Sequence, residues 1–132
     1  MKRRAFSVLV CILWVGACSS PTTPTNHIVC FPTDPVNVAG DLGFSQPVNL
    51  QAAEEDVERA TGTFSASASA PGEVSITSAP ATYAQAFSPC TGRPAAQINQ
   101  IWTIKTLKKG TTIVTFKYSG ANGEKKVTLT IR

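Results

Sequence analysis

Histidine is nearly absent: the 132 residues contain one, His27. Histidine-dependent catalytic triads and multi-histidine zinc sites therefore have little to build on. There is no glycine-rich phosphate loop opening a helix. Serine and threonine are plentiful, but no base is placed in sequence to activate one. The reading that follows is a chain that is not an enzyme, with no metal site and no cofactor. Long apolar runs are missing as well. The stretch from Ala5 to Val15 is about half the ~20 residues that a transmembrane helix needs, so a permanent span is not expected.

The first residues hold a different signal. Met1-Lys2-Arg3-Arg4 precedes the apolar run, and Gly16-Ala17-Cys18-Ser19-Ser20 follows it. A basic start, a short apolar core and small residues at the end form the secretory signal pattern. Val15-Gly16-Ala17-Cys18 resembles the bacterial lipobox, in which the cysteine thiol takes diacylglycerol before cleavage. The resemblance implies a signal peptide over residues 1–17 and lipidation at Cys18. Two or more acyl chains anchor a protein firmly, at ~0.8 kcal/mol per buried methylene. Ser19 is not the aspartate that retains many lipoproteins in the inner membrane, which points to the outer membrane of a bacterial envelope.

Cleavage changes both charge and cysteine counts. Of 12 basic residues, Lys2, Arg3 and Arg4 lie before Cys18, leaving nine against eight acidic ones. The formal net charge of +4 is therefore no sign of a nucleic-acid partner. Glu54, Glu55, Asp56 and Glu58 form an acidic cluster, read here as part of a polar loop. Lys105, Lys108, Lys109, Lys117, Lys125 and Lys126 gather near the C-terminus and read as a solvated face or edge protection. Of four cysteines, Cys11 leaves with the signal and Cys18 carries lipid. Cys30 and Cys90 remain in an oxidising compartment and are predicted to pair.

Residues 18–29 are rich in Pro and Thr at first and suit a tether. Pro21 and Pro24 read there as stiffness rather than as a recognition motif. Residues 30–132 suffice for one small domain. Its clearest strands are Ile98–Leu107, Thr111–Tyr118 and Lys126–Ile131, where β-branched and aromatic residues alternate with polar ones. Turns are expected at Lys108–Gly110 and at Ser119–Gly123, where Asn122-Gly123 favours positive φ. Phe44–Leu50, Thr63–Ala70 and Val74–Thr77 read as further strands. Gln51–Ala60, rich in Ala and Glu, is expected to form one or two helical turns. Ala79–Cys90 is read as irregular, with Tyr83 and Phe87 as exposed aromatics, whereas Trp102 belongs to the core. The fold class is all-β: a single small Ig-like antiparallel β-sandwich.

The run Ile101–Tyr118 is similar to the last strands of bacterial Ig-like domains of surface proteins. It also resembles the chagasin-type cysteine-peptidase inhibitors, which are Ig-like sandwiches. Gly40-Asp41, Thr61-Gly62-Thr63-Phe64 and Thr91-Gly92-Arg93-Pro94 before Trp102 are loose counterparts of that family's motifs, over residues 40–132. The resemblance implies partner-binding loops at Thr61, Gly62 and Phe64 and at Thr91, Gly92, Arg93 and Pro94. The first loop lacks the family's Asn-Pro start, and Thr63 is inserted before its aromatic. Where the family has Arg-Pro-Trp after the Tyr118 strand, this chain has only the Ser119–Gly123 turn. The expected function is that of a membrane-anchored, non-catalytic protein-binding module with a protein partner such as a peptidase. The alternative is a structural or assembly component of the envelope. Oligomeric state is not legible from these patterns.

Overall fold

The computed structural model describes residues 28–132; the lipobox, Cys18, His27 and most of the tether lie outside them. Among the described residues there are nine strands and one 3-10 turn at Pro71–Glu73. The strands are β1 (Val29–Cys30), β2 (Val36–Gly40), β3 (Ser45–Glu55), β4 (Phe64–Ala68), β5 (Val74–Ser78), β6 (Thr82–Phe87), β7 (Pro94–Thr106), β8 (Gly110–Tyr118) and β9 (Glu124–Ile131). They build the predicted β-sandwich from two sheets. One has the order β1-β3-β7-β5, with β6 also on β7; the other is β2-β9-β8-β4. All pairs are antiparallel except β2–β9, which is parallel. The N-terminal segment thus edges the first sheet as β1, turns through Pro32 and Pro35, and edges the second as β2.

Alternation produces the core. Val48, Leu50, Ile98 and Ile104 point inward from the first sheet, and Val114, Phe116, Val127, Leu129 and Ile131 from the second. Each such side chain contributes roughly 1.5–3 kcal/mol on burial. Trp102 sits against this core and meets Phe116 edge-on, with ring centroids 5.7 Å apart, as its strand pattern predicts. At one end Phe31, Phe64 and Tyr118 form an aromatic cluster.

Four expectations need correction. Gln51–Glu55 is not helical; it is the second half of β3, held in register from Gln51↔Asn99 to Glu55↔Ala95. Pairing along the full length of β7 outweighs the helix propensity of Ala and Glu. Part of the stretch read as irregular, Thr82–Phe87, is β6, paired from Thr82↔Asn99 to Phe87↔Pro94. The Ser119–Gly123 turn takes its positive φ at Gly120 (φ 82°) and not at Asn122-Gly123. The lysines, exposed except for a half-buried Lys125, form the solvated face expected of them and do not guard edges. Lys105, Lys117, Lys125 and Lys126 lie on β7, β8 and β9, inside the sheets, and Lys108 and Lys109 lie in the β7–β8 turn. Tyr83 and Phe87 are exposed as expected, at 45% and 69%.

Candidate functional site

One end of the sandwich gathers the end of β3, the segment leading into β4, the β6–β7 loop and the β8–β9 turn. Here the acidic cluster begins, and it is not the polar loop that composition implies. Glu54 and Glu55 are 2% and 0% exposed. As neighbours on a strand they point to opposite faces of the sheet. Glu54 turns inward toward Tyr118. Glu55 turns outward beneath the β6–β7 loop, on the face that also holds Cys30, Ala53 and Ala95.

A buried carboxylate is costly unless donors surround it. Glu54 has them. Its Oε1 accepts from the backbone N–H of Thr61 at 3.1 Å and of Gly62 at 2.7 Å, and from the hydroxyl of Tyr118. Its Oε2 accepts from the Thr61 hydroxyl at 3.4 Å. Burial pushes the Tyr118 phenol above the usual tyrosine range, and its hydrogen bond to Glu54 pushes in the same direction. Gly62 is required by the fit. A Cβ there would lie 2.3 Å from Cζ of Tyr118, closer than any real contact. Thr63 and Ser119 complete the join, since Thr63 N–H donates to Ser119 Oγ at 2.8 Å and Ser119 N–H donates to Thr63 O at 3.0 Å.

Glu55 is held from the other side. The Thr91 hydroxyl donates to its Oε1. Its Oε2 lies 3.8 Å from Nη1 of Arg93 without a hydrogen bond, and Arg93 Nη2 lies 3.9 Å from Oδ1 of Asp56. Asp56 has a left-handed φ of 58°, which turns the chain out of β3. The predicted disulfide is present: Cys30 and Cys90 are bonded, with Cα atoms 5.9 Å apart. It ties the β6–β7 loop over Glu55 and fastens the two-residue β1 to the sheet.

The structure therefore places the loop residues singled out by resemblance at one end of the sandwich and engages most of their polar groups internally, while the Arg93 side chain stays 58% exposed. Thr61 and Gly62 serve Glu54, and Thr91 and Arg93 serve Glu55. Phe64 is buried, with its ring centroid 4.8 Å from that of Tyr118. Gly92 donates its N–H to Ser88 O at 2.7 Å with a φ of 72°. Pro94 opens β7. Reading the sequence missed the two organisers, Glu54 and Tyr118. A tyrosine on the core face of a strand needs a partner for its hydroxyl, and that requirement was the available signal. Chemically, the arrangement is a clamp: two carboxylates on one strand end collect donors from the loops around them.

No protein-family model matches this chain, and no curated protein matches it. Similar folds occur among solved structures. The structure of the S-layer protein rSbsC(31-844) aligns with 84% of this chain at a TM-score of 0.52 and 14% identity. Domains 1–6 of the surface layer protein SbsC align with 83% of it at a TM-score of 0.52 and 14% identity. The chain spans 14% of the length of each of those two structures, both of SbsC. At this identity the likeness is one of fold.

Proposed function

We propose that this chain is a non-catalytic structural or assembly module of the bacterial cell envelope, held there by lipid at Cys18. The observation that carries the reading is the clamp. The backbone N–H groups of Thr61 and Gly62 and the Thr91 hydroxyl, which the loops would otherwise offer to a partner, are aimed at Glu54 and Glu55 of the same chain. The loop end thus rigidifies the domain. The disulfide suits an exported protein. A sandwich of similar fold occurs in the S-layer protein SbsC, an analogy of fold that supports a surface role.

The anchor is tested by labelling cells with a radioactive fatty acid and fractionating them. The wild-type chain is expected to carry label and sediment with membranes, and Cys18→Ser to lose both. An unlabelled wild type, with Cys18→Ser still on the membrane, contradicts the reading. The module role is tested by deleting the gene and challenging the envelope with detergent. The full chain is expected to restore resistance, whereas a lipidated fragment of residues 1–29 is not.

A second reading is peptidase inhibition. One observation favours it: the segments at residues 61–64, 91–94 and 119–123 share one end of the sandwich, as an occluding wedge would require.

A further inference from the structure

Sheet edges expose unpaired backbone donors and acceptors, and proteins usually guard them with lysine, proline, bulges or covering segments. In this chain the charges lie elsewhere. The outer strands β1, β2, β4, β5 and β6 contain no acidic or basic residue. Among them, β6 is the one whose free edge carries two large exposed apolar side chains, Tyr83 and Phe87. Its sequence has a further property. Tyr83-Ala84-Gln85-Ala86-Phe87 reads the same in both directions by chemical type: aromatic, Ala, Gln, Ala, aromatic.

We infer that β6 pairs with β6 of a second copy of this chain, antiparallel about a two-fold axis at Gln85, so that the two sheets become one. Residues directly opposite in an antiparallel pair share a face. A two-fold at Gln85 sets Tyr83 against Phe87 of the second copy, Ala84 against its Ala86, and Gln85 against its Gln85. Tyr83, Gln85 and Phe87 lie on one face, the one shared with Ile98, Ala96 and Pro94 across β7. Each aromatic therefore meets an aromatic, each alanine an alanine, and no like charges oppose. A one-residue slip turns the pattern to the wrong face, and a two-residue slip sets an aromatic of each copy against Gln85. The palindrome selects the register and favours a second copy over an unrelated strand.

The edge is also preformed. The Arg59 guanidinium lies 4.2 Å over the Tyr83 ring, and the Gln85 amide donates to Glu58 O. These contacts brace β6 with the segment that follows β3 and line a shallow cleft of about 400 Å³ beside it. A pairing of this length is small beside interfaces of stable dimers. It is expected to be weak in dilute solution and stronger where anchoring to one surface raises the effective concentration. The pairing geometry does not depend on the envelope reading, whereas its yield in the envelope rests on export and anchoring, which an intact Cys30–Cys90 bridge and membrane sedimentation report separately.

Cross-linking tests it in the full chain, expressed in the envelope of a bacterial host. Gln85→Cys lies on the proposed two-fold and is expected to give a disulfide dimer on non-reducing gels. The yield should be about tenfold above that of Leu42→Cys, another exposed site, in the β2–β3 turn. Co-expressing Ala84→Cys with Ala86→Cys chains reads the same register without disturbing Gln85, so a misfolded Gln85→Cys leaves the test intact. Adding Phe87→Lys is expected to lower the dimer yield about tenfold. Peptide mapping verifies that Cys30–Cys90 stays intact. Dimer yields at the Leu42→Cys level in both arms, cross-links only to other proteins, or a yield indifferent to Phe87→Lys would each overturn it.

Discussion

The Tyr118 hydroxyl donates to the Glu54 carboxylate across the interior of the sandwich, joining β8 of one sheet to β3 of the other. The same carboxylate gathers the backbone of Thr61 and Gly62. Packing between the sheets and the path of the segment entering β4 are therefore set by one buried acid.

Removing a donor from this site leaves charge poorly satisfied. Tyr118→Phe is expected to lower stability by about 1–3 kcal/mol, and Glu54→Gln by a similar amount. The double variant should lose less than the sum, because both changes break the same network. Urea denaturation of the four proteins checks this. Strict additivity would show that the two residues do not act together.

Gly62 is expected to tolerate no side chain. Gly62→Ala drives a methyl into the Tyr118 ring and should cost about 1–3 kcal/mol as overpacking. Gly72→Ala, where a Cβ meets nothing within 4 Å, serves as the control and should be nearly neutral. Equal denaturation midpoints for the two variants would contradict the described fit.

Stability should fall at alkaline pH through Tyr118. Its folded pKa is raised, by burial first and by Glu54 second, so the folded state favours the neutral phenol. That contribution is fully present below the unfolded value of about 10 and is lost as pH rises through the higher folded value. The wild type is expected to lose more stability above about pH 10 than Tyr118→Phe does. Parallel pH profiles would assign the loss to other groups.

The Cys30–Cys90 bridge closes a loop with a sequence separation of 60, which corresponds to about 4 kcal/mol on the chain-entropy model. Reduction, or Cys90→Ala with Cys30→Ala, is expected to lower the urea midpoint accordingly. It should also free the β6–β7 loop from Glu55, read as faster amide exchange at Thr91–Arg93. An unchanged midpoint and unchanged exchange would make the bridge incidental.

These features were unevenly legible in the sequence. β7, β8 and β9 announce themselves, because Val114, Phe116 and Tyr118, like Val127, Leu129 and Ile131, alternate with polar residues. The disulfide followed from counting cysteines. Gln51–Glu55 was misread because Ala52, Ala53, Glu54 and Glu55 favour a helix locally, whereas eleven ladder partners along β7 hold them extended. β6 was hidden by Pro80 and Pro89 on its flanks and by two alanines that weaken its pattern. β2, Val-Asn-Val-Ala-Gly, was missed because its edge position leaves it only half-buried. The clamp could not be read at all from spacing, since Glu54, Thr61 and Tyr118 meet only after the sheets pack. Composition labels a run of acids as solvated; the fold decides that two of them are buried.

On the proposed function, the loop end stabilises this domain and does not block a peptidase. The most direct test titrates the full chain and its Arg93→Ala variant against a papain-like cysteine peptidase while measuring their urea midpoints. Neither protein is expected to inhibit at micromolar concentration. Arg93→Ala is expected to lose about 1 kcal/mol, as one partly exposed ion pair allows. Submicromolar inhibition by the wild type, abolished in Arg93→Ala at unchanged stability, would contradict it.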